Sequence, residues 1–458
     1  MNWYASLRSC ALCVACLALF VSVAQATETP AEASPQTTYT MRDCVDQALR
    51  SSPRIMAAED AVQKAEAEIG MARAGFLPQL TAFGTRKMIK GFESEGTSDS
   101  DYDDQTTDSY GLQLSQTLFQ GLTIFNGYQR AVLAHEYVLA EKEDALARLT
   151  TQVQTTFLER LRAVEELKIY EAHLQSLETN GQALEAMFAQ NLVAYSDVLT
   201  TQAEIANAMQ RVSETRNYIS TKTIELKGLM HVPFENDVTF VGNVWDAAYT
   251  PDWTLDEIRS HALKHRPAIR LARLGVSLVQ KDRDIALGAF SPRVSLNLSY
   301  QNLDVDYDEM GFSGFRKYDR DYSKAYGVGT LNVEWNLFQG GRDYYNTQRV
   351  KHEVSRLQNN LKDQETLAYT EIESANSSFL EAKSRSKHAL TFLKSARENV
   401  AMVQARLEKS LSTIPEMVLA RSKLQQAESN LVKAQIDCQQ ALANLYYAMG
   451  HRTSALVQ

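Results

Sequence analysis

The stretches "TLFQGLTIFNGYQRA", residues 117–131, and "NLFQGGRDYYNTQRV", residues 336–350, write the same corner twice. Each carries Leu-Phe-Gln-Gly and, at the same distance beyond it, Gln-Arg. The two phenylalanines, Phe119 and Phe338, are separated by close to half of the 458-residue chain. The correspondence spreads outward from these corners. "TMRDCVDQALRSSPRI" from Thr40 aligns with "TLDEIRSHALKHRPAI" from Thr254, Pro53 with Pro267, "GFLPQL" at Gly75 with "AFSPRV" at Ala289, and Met230 with Met449. Thr40 with Asp43 and Thr254 with Glu257 both suit an N-cap, but only the second has the Thr-x-x-Glu of a standard capping box. The chain reads as a tandem duplication: repeat 1 over 40–230, a connector over 231–253, repeat 2 over 254–450 and a tail over 451–458.

Helix breakers are scarce inside each repeat. No proline falls between Pro78 and Pro233 or between Pro292 and Pro415, and Gly181 is the one glycine between Gly127 and Gly228. Long helices are therefore expected at about 120–191 and 196–230, and again at about 340–411 and 415–449. A continuous helix from Phe119 to Asn191 would be on the order of 100 Å long. Leu167, Tyr170, Leu174, Leu177, Gly181, Leu184 and Phe188 recur at coiled-coil spacing, as do Leu424, Ala427, Leu431, Ala434, Cys438, Ala441 and Leu445. A soluble helical bundle would show the same seams.

Between the helices the period changes to two, and strands are expected at about 78–90, 110–119, 292–303 and 326–338. "PRVSLNLSYQ" puts Val294, Leu296, Leu298 and Tyr300 on one face and Arg293, Ser295, Asn297 and Ser299 on the other. "GTLNVEWNLF" sets Leu331, Val333, Trp335 and Leu337 against Asn332, Glu334 and Asn336; in "YGLQLSQTLF" Gln116 breaks the row of Leu112, Leu114 and Leu118. In "PQLTAFGTRK", Phe83 stands on the polar side and Arg86 on the apolar one. Such strands suit a transmembrane barrel with a wet interior and equally a half-buried soluble sheet. Long polar loops lie within each strand pair. The first holds Asp99, Asp101 and Asp103, yet Asp104 and Tyr110 stand where a calcium loop needs Gly and Glu. Four strands cannot close a spanning barrel, and lipid does not tolerate open edges. If these strands enter a membrane, several chains share one barrel.

Residues 1–26 read as a secretory signal: Arg8, an apolar run from Cys10 to Val23, then small Ala24 and Ala26 around Gln25, with cleavage expected after Ala26. An extension over 27–39 follows. Cys10, Cys13 and Cys16 belong to that signal; acylation of Cys16 would leave most of the apolar run behind it. Cys44 and Cys438 remain, open to a disulfide in an oxidising compartment but each at an apolar position of its helix. The net charge of −9 argues against nucleic acid as a partner. No catalytic constellation is visible, so no enzyme and no cofactor is expected. His261 and His265 share a helix face but lack an evident third metal ligand, and "GVGTLN" lacks the third glycine of a dinucleotide loop.

A signal peptide, a helix–strand–strand–long helix–helix unit written twice, and "LFQG" with "LFQGG" at the strand-to-helix corners resemble the TolC-like outer-membrane efflux proteins from about Thr40 to Gly450. The resemblance implies a mainly α fold with a transmembrane β part. Three identical chains would each give four strands to a twelve-stranded barrel, continued by a periplasmic α-helical tunnel. It places Phe119, Gly121, Phe338 and Gly340 where strands leave the membrane and become tunnel helices. It also implies an exit duct in the outer membrane of a Gram-negative-type cell, embedded in outer-membrane lipid. Docked onto it would be a periplasmic adaptor (a membrane fusion protein) and an inner-membrane ABC transporter or a proton-driven efflux pump. With no P-loop in the chain, the energy comes from that partner.

"NLVAYSDVLTTQAEIANA" resembles the family's first turn and puts Asp197 near its closed end; "LSTIPEMVLARSKLQQA" resembles the second and puts Glu416 at an acidic position. Leu419 stands where some members have a constricting aspartate, and Ser412 where some have a basic residue. Both acids also lie in first helical turns, where the helix dipole favours a carboxylate. The absence of a clear lipid-anchor cysteine favours type I protein secretion over multidrug efflux. A periplasmic coiled-coil scaffold without a pore is the reading of another class.

Overall fold

Proline sets the first boundary in both repeats. In the computed structural model, which describes residues 37–89, 104–243, 253–308, 322–409 and 411–451, the opening helix is broken into α1 (Met41–Ser51) and α2 (Pro53–Ala74). Ser52 is held extended before Pro53, which starts the new helix at its first position. Repeat 2 does the same at Arg266 and Pro267, giving α5 (Leu255–His265) and α6 (Pro267–Gly288). Two short helices thus stand where one was expected. Then follow β2 (Gln79–Ile89), β3 (Asp104–Gln120), α3 (Thr123–Ala189) and α4 (Tyr195–Leu229). Their counterparts are β5 (Arg293–Asp308), β6 (Tyr322–Glu334), α7 (Arg342–Glu408) and α8 (Ile414–Ala448). Corresponding helices have identical lengths of 11, 22, 67 and 35 residues. The signal, the loop aspartates Asp99, Asp101 and Asp103, residues 244–252 of the connector and residues 452–458 of the tail lie outside the described residues.

Thr40 and Asp43 close a full capping box, although the sequence pattern reserved that for Thr254 and Glu257. The Thr40 N–H donates to Asp43 Oδ2 at 3.0 Å and the Asp43 N–H to Thr40 Oγ1 at 3.3 Å. The shorter carboxylate reaches as well as the longer one. Hydrogen bonds from Thr40 and Thr254 hold the Asp43 and Glu257 carboxyls below their usual range. A depressed carboxylate stabilises the fold above its unfolded value and loses that contribution as pH falls. Amide exchange in the first turns of α1 and α5 is therefore expected to quicken below about pH 4, in the ordinary carboxylate range. Exchange unchanged down to pH 3 would refute the assignment.

Two strands outside the duplicated pattern, β1 (Thr37–Tyr39) and β4 (Val238–Phe240), pair in parallel and tie the end of the N-terminal extension to the connector. They sit on the largest core. There Cys44, Val45 and Ala48 of α1 meet Val153, Phe157 and Leu158 of α3, with Leu226 of α4 and Ile436 of α8. A second cluster joins α5 through Ile258 and Ala262 to α7 and α8; a third lies on the α7–α8 seam around Leu393, Ala427 and Leu431. Cys44 and Cys438 are both free, the first fully buried in the main core and the second beside the α5–α7–α8 cluster. Burial pushes the Cys44 thiol up to about 12. Both are apolar fillers.

The long strands form one antiparallel sheet in the order β2-β3-β5-β6. Leu80, Leu114, Leu298 and Gly329 make one row of its apolar face, and Ala82, Leu112, Tyr300 and Gly327 the next. The row Arg86–Asp108–Asp304–Ser323 ends that face with charge. Arg86, anomalous in the sequence, donates to both Asp108 carboxylate oxygens at 2.7 and 2.5 Å. Phe83, the other anomaly, lies opposite Gly111, which leaves room for its ring. The strands run further into the polar loops than expected: β3 begins at Asp104, β5 continues to Asp308 and β6 begins at Tyr322. β6 also stops early, at Glu334 rather than about 338, because its partner β5 begins at Arg293 opposite Glu334.

Candidate functional site

Both corners leave the sheet at the same end, where Gln120, Arg293 and Glu334 form its last row. In the first corner a register shift between Thr117 and Phe119 makes Leu118 an extra residue, so Phe119 turns onto the apolar face opposite Val294. Gly121 and Leu122 then take left-handed backbone, at φ 55° and 62°, and α3 begins. A Cβ on Gly121 would lie 2.4 Å from the Gly288 carbonyl oxygen and 2.7 Å from Ser291 Cβ. The corner is thus seated on the end of α6. In the second corner Gly340 and Gly341 are left-handed at φ 63° and 83°, and around Gly340 a Cβ would meet nothing. Phe338 there is 85% exposed.

The two corners share one bond made by different side chains. Gln116 Nε2 donates to the Phe76 carbonyl at 3.3 Å; at the matching place Trp335 Nε1 donates to the Phe290 carbonyl at 3.1 Å. Each staples a strand end to the preceding helix–strand junction. Sequence reading missed this pair, along with Gly341, Leu122 and Gly288. The residue types differ, and only the repeat register could have flagged them. Phe76, Phe119, Phe290, Trp335, Phe338 and Tyr345 leave an exposed aromatic belt at this end of the sheet, as interfaces of membrane barrels do.

Asp197 and Glu416 stand at the opposite ends of the long helices, about 100 Å of helix away. The first turn closes as a Schellman motif: Asn191 is left-handed at φ 60°, its N–H meets the Phe188 carbonyl at 2.8 Å, and the Leu192 N–H meets that of Met187 at 3.0 Å. Asp197, half-buried, is the third residue of α4, and no side-chain cap is made there. Glu416 is committed. Its carboxylate accepts from Ser412 Oγ and from the Thr413 N–H, and its own N–H donates to Thr413 Oγ1 at 3.4 Å. These bonds, that from Ser412 foremost, hold its carboxyl below the usual range. Ser412, which replaces a basic residue in the resemblance, is thus a partner of the cap. Leu419 is exposed, one turn on. Among the described residues, no group of three or more His, Cys, Asp or Glu is placed to hold a metal ion.

A sequence model of the outer membrane efflux protein family matches residues 44–230 and 258–451, one match for each repeat. The chain belongs to that family, whose members are transport channels rather than enzymes. The alkaline protease secretion protein AprF of Pseudomonas aeruginosa is 26% identical over 206 residues, covering 45% of this chain and 42% of that one. The match thus spans less than half of that relative. The crystal structure of CusC superposes with a TM-score of 0.76 at 16% identity, covering 90% of this chain and 92% of that one. The outer membrane protein VceC of Vibrio cholerae gives 0.74 at 16%, covering 90% and 96%. Fold and family favour a channel over a scaffold without a pore. The chain is an outer-membrane protein of that family, with the fold of the family's solved channels and a large periplasmic helical part.

Proposed function

We propose that three copies of this chain form a passive exit duct, each giving four strands to a twelve-stranded barrel continued by a helical tunnel. The observation that carries it is the pair of unmatched sheet edges. Among the described residues, β2 and β6 each have one strand neighbour, and β6 loses its ladder at Glu334 while β3 pairs on to Gln120. Lipid does not accept such edges, and a neighbouring β2 supplies what β6 lacks. The helices agree: α3 packs against both α2 and α6, whereas α7 has α6 on one flank and an open flank for the next copy's α2. The adaptor and the inner-membrane pump dock at the turn end, and type I protein secretion through an ABC transporter is the preferred duty. AprF's role in protease secretion supports it; multidrug efflux with a proton-driven pump is the second reading.

Planar-bilayer conductance of the detergent-extracted oligomer tests the duct, and loss of an exported protein against gain of drug sensitivity in a deletion strain separates the two duties. Asp197 and Glu416 are proposed to line the closed end. Asp197→Asn with Glu416→Gln retains side chains able to cap but removes six carboxylates from a trimer. A several-fold rise in conductance is expected. Unchanged conductance of the folded trimer would leave Glu416 as a helix cap and Asp197 as a first-turn carboxylate favoured by the helix dipole.

A further inference from the structure

Three of the chain's eight histidines meet where α5 docks on the last turn of α8. The ring centroids of His261 and His265 are 4.4 Å apart, as are those of His261 and His451, whose planes differ by 15°. Trp253 stacks on His451 at 5.9 Å and 9°, and Tyr446 meets Trp253 and His451 edge-on. His261 Nδ1 donates to the Met449 carbonyl at 3.3 Å, which places its proton on Nδ1. The rings stack instead of aiming nitrogens at a common point.

Repeat 1 builds the same junction with no imidazole at these three places; its histidine there, His231, stands for Gly450 and is exposed. In the repeat register Gln47, Ser51 and Val232 stand for His261, His265 and His451, and Tyr39 for Trp253. Ser51 Oγ donates to the Met230 carbonyl, the counterpart of that of Met449, at 2.6 Å. Docking the end of a long helix on a short one therefore requires none of the three histidines.

Six carboxylates on the surrounding elements are engaged elsewhere. On α5, Glu257 caps Thr254 and Asp256 pairs with Arg259; on α7, Glu373 pairs with Arg259 and Glu371 with Arg266. On α3, Asp144 pairs with Arg148 beside Tyr447, and Glu143 with Arg270 of α6. Lys264 of α5 and Arg266, whose backbone lies against Gly450, add positive charge to the neighbourhood.

We propose that the His261–His265–His451 cluster is an acid-released clasp: neutral rings hold the C-terminal end of α8 on α5, and their protonation lets it go. Burial first, then the charges of His261 and His265, push His451 below its usual value. A base with a depressed folded value leaves docking at full strength above the usual histidine range and weakens it as pH falls through that range. The helix released is the one whose first turn carries Glu416, so the clasp biases the helix pair that forms the second turn.

The test is amide exchange on the detergent-extracted full chain from pH 7.5 to 5.5, corrected for the intrinsic pH dependence. Protection over 446–451 is expected to fall by up to roughly tenfold per pH unit for each proton taken up on release, with 427–436 unchanged. The triple variant His261→Gln, His265→Ser, His451→Val carries repeat 1's own residues and is expected to show no such fall. His451→Gln alone, checked for folding by circular dichroism at pH 7.5, is expected to show a reduced one. A pH-independent wild type, or the wild-type fall persisting in either variant, would overturn the clasp.

Discussion

Gly121→Ala is expected to abolish recovery of folded oligomer from membranes, whereas Gly340→Ala is expected to leave the chain folded and to weaken its assembly. Both glycines are left-handed, so each substitution carries about 1–2 kcal/mol of backbone strain. The difference lies in what the new methyl meets. At Gly121 it overlaps Gly288, and neither the carbonyl oxygen nor the Cα can yield without moving the last turn of α6. Overpacking of that kind adds roughly 1–3 kcal/mol. At Gly340 the space is open in the isolated chain. In the proposed trimer the repeat register would bring the neighbouring chain's α2–β2 junction there, at the counterpart of Gly288 and Ser291. Secondary structure by circular dichroism, beside oligomer mass in detergent, measures the two effects separately. Equal loss of folded chain in both variants would show that corner strain, not seating on α6, dominates.

Leu158→Ala is expected to lower stability by about 2–5 kcal/mol, the range for a buried leucine whose site cannot collapse. Leu158 has 0% exposure, in the cluster that joins α1, α3, α4, β4 and α8. That cluster is where the connector and repeat 2 grip repeat 1, so the cavity loosens several elements together. Leu192→Ala, at an exposed position of the first turn, is the control and is expected to change stability by less than about 0.5 kcal/mol. Melting midpoints of the two variants against wild type measure the contrast. Equal midpoints would mean that the long seams, not this cluster, limit stability.

The long helices were legible because an absence is easy to see: residues 123–189 and 342–408 contain no proline, and seams of period 3.5 run along α3 and α8. The sheet was legible from its alternation, but its limits were not. Where a strand ends depends on its partner, and β6 ends at Glu334 for want of one rather than for any residue of its own. Arg86 and Gln116 looked like faults in the pattern because their partners, Asp108 and the Phe76 carbonyl, come from other strands or junctions. The glycine corners were found as a repeated motif, while the reason for Gly121 lay in Gly288, far away in sequence. His261 and His265 were visible as a pair; His451 joins them only through the docking of α8. Glu416 shows the limit of motif transfer, since the same carboxylate serves a cap that any helix start could use.

The equal helix lengths in the two repeats have a consequence for how such a chain can change. The two 67-residue rods, α3 and α7, must finish level with one another at both ends, since their upper ends are fixed by a common sheet and their lower ends by two turns. A heptad removed from one rod alone would leave a step of about 10 Å at the turn end. Length is thus held in common by the rods rather than owned by any one of them. A shorter or longer relative for a different envelope depth requires matched changes in both halves of the chain, each in whole heptads so that the seams stay in phase.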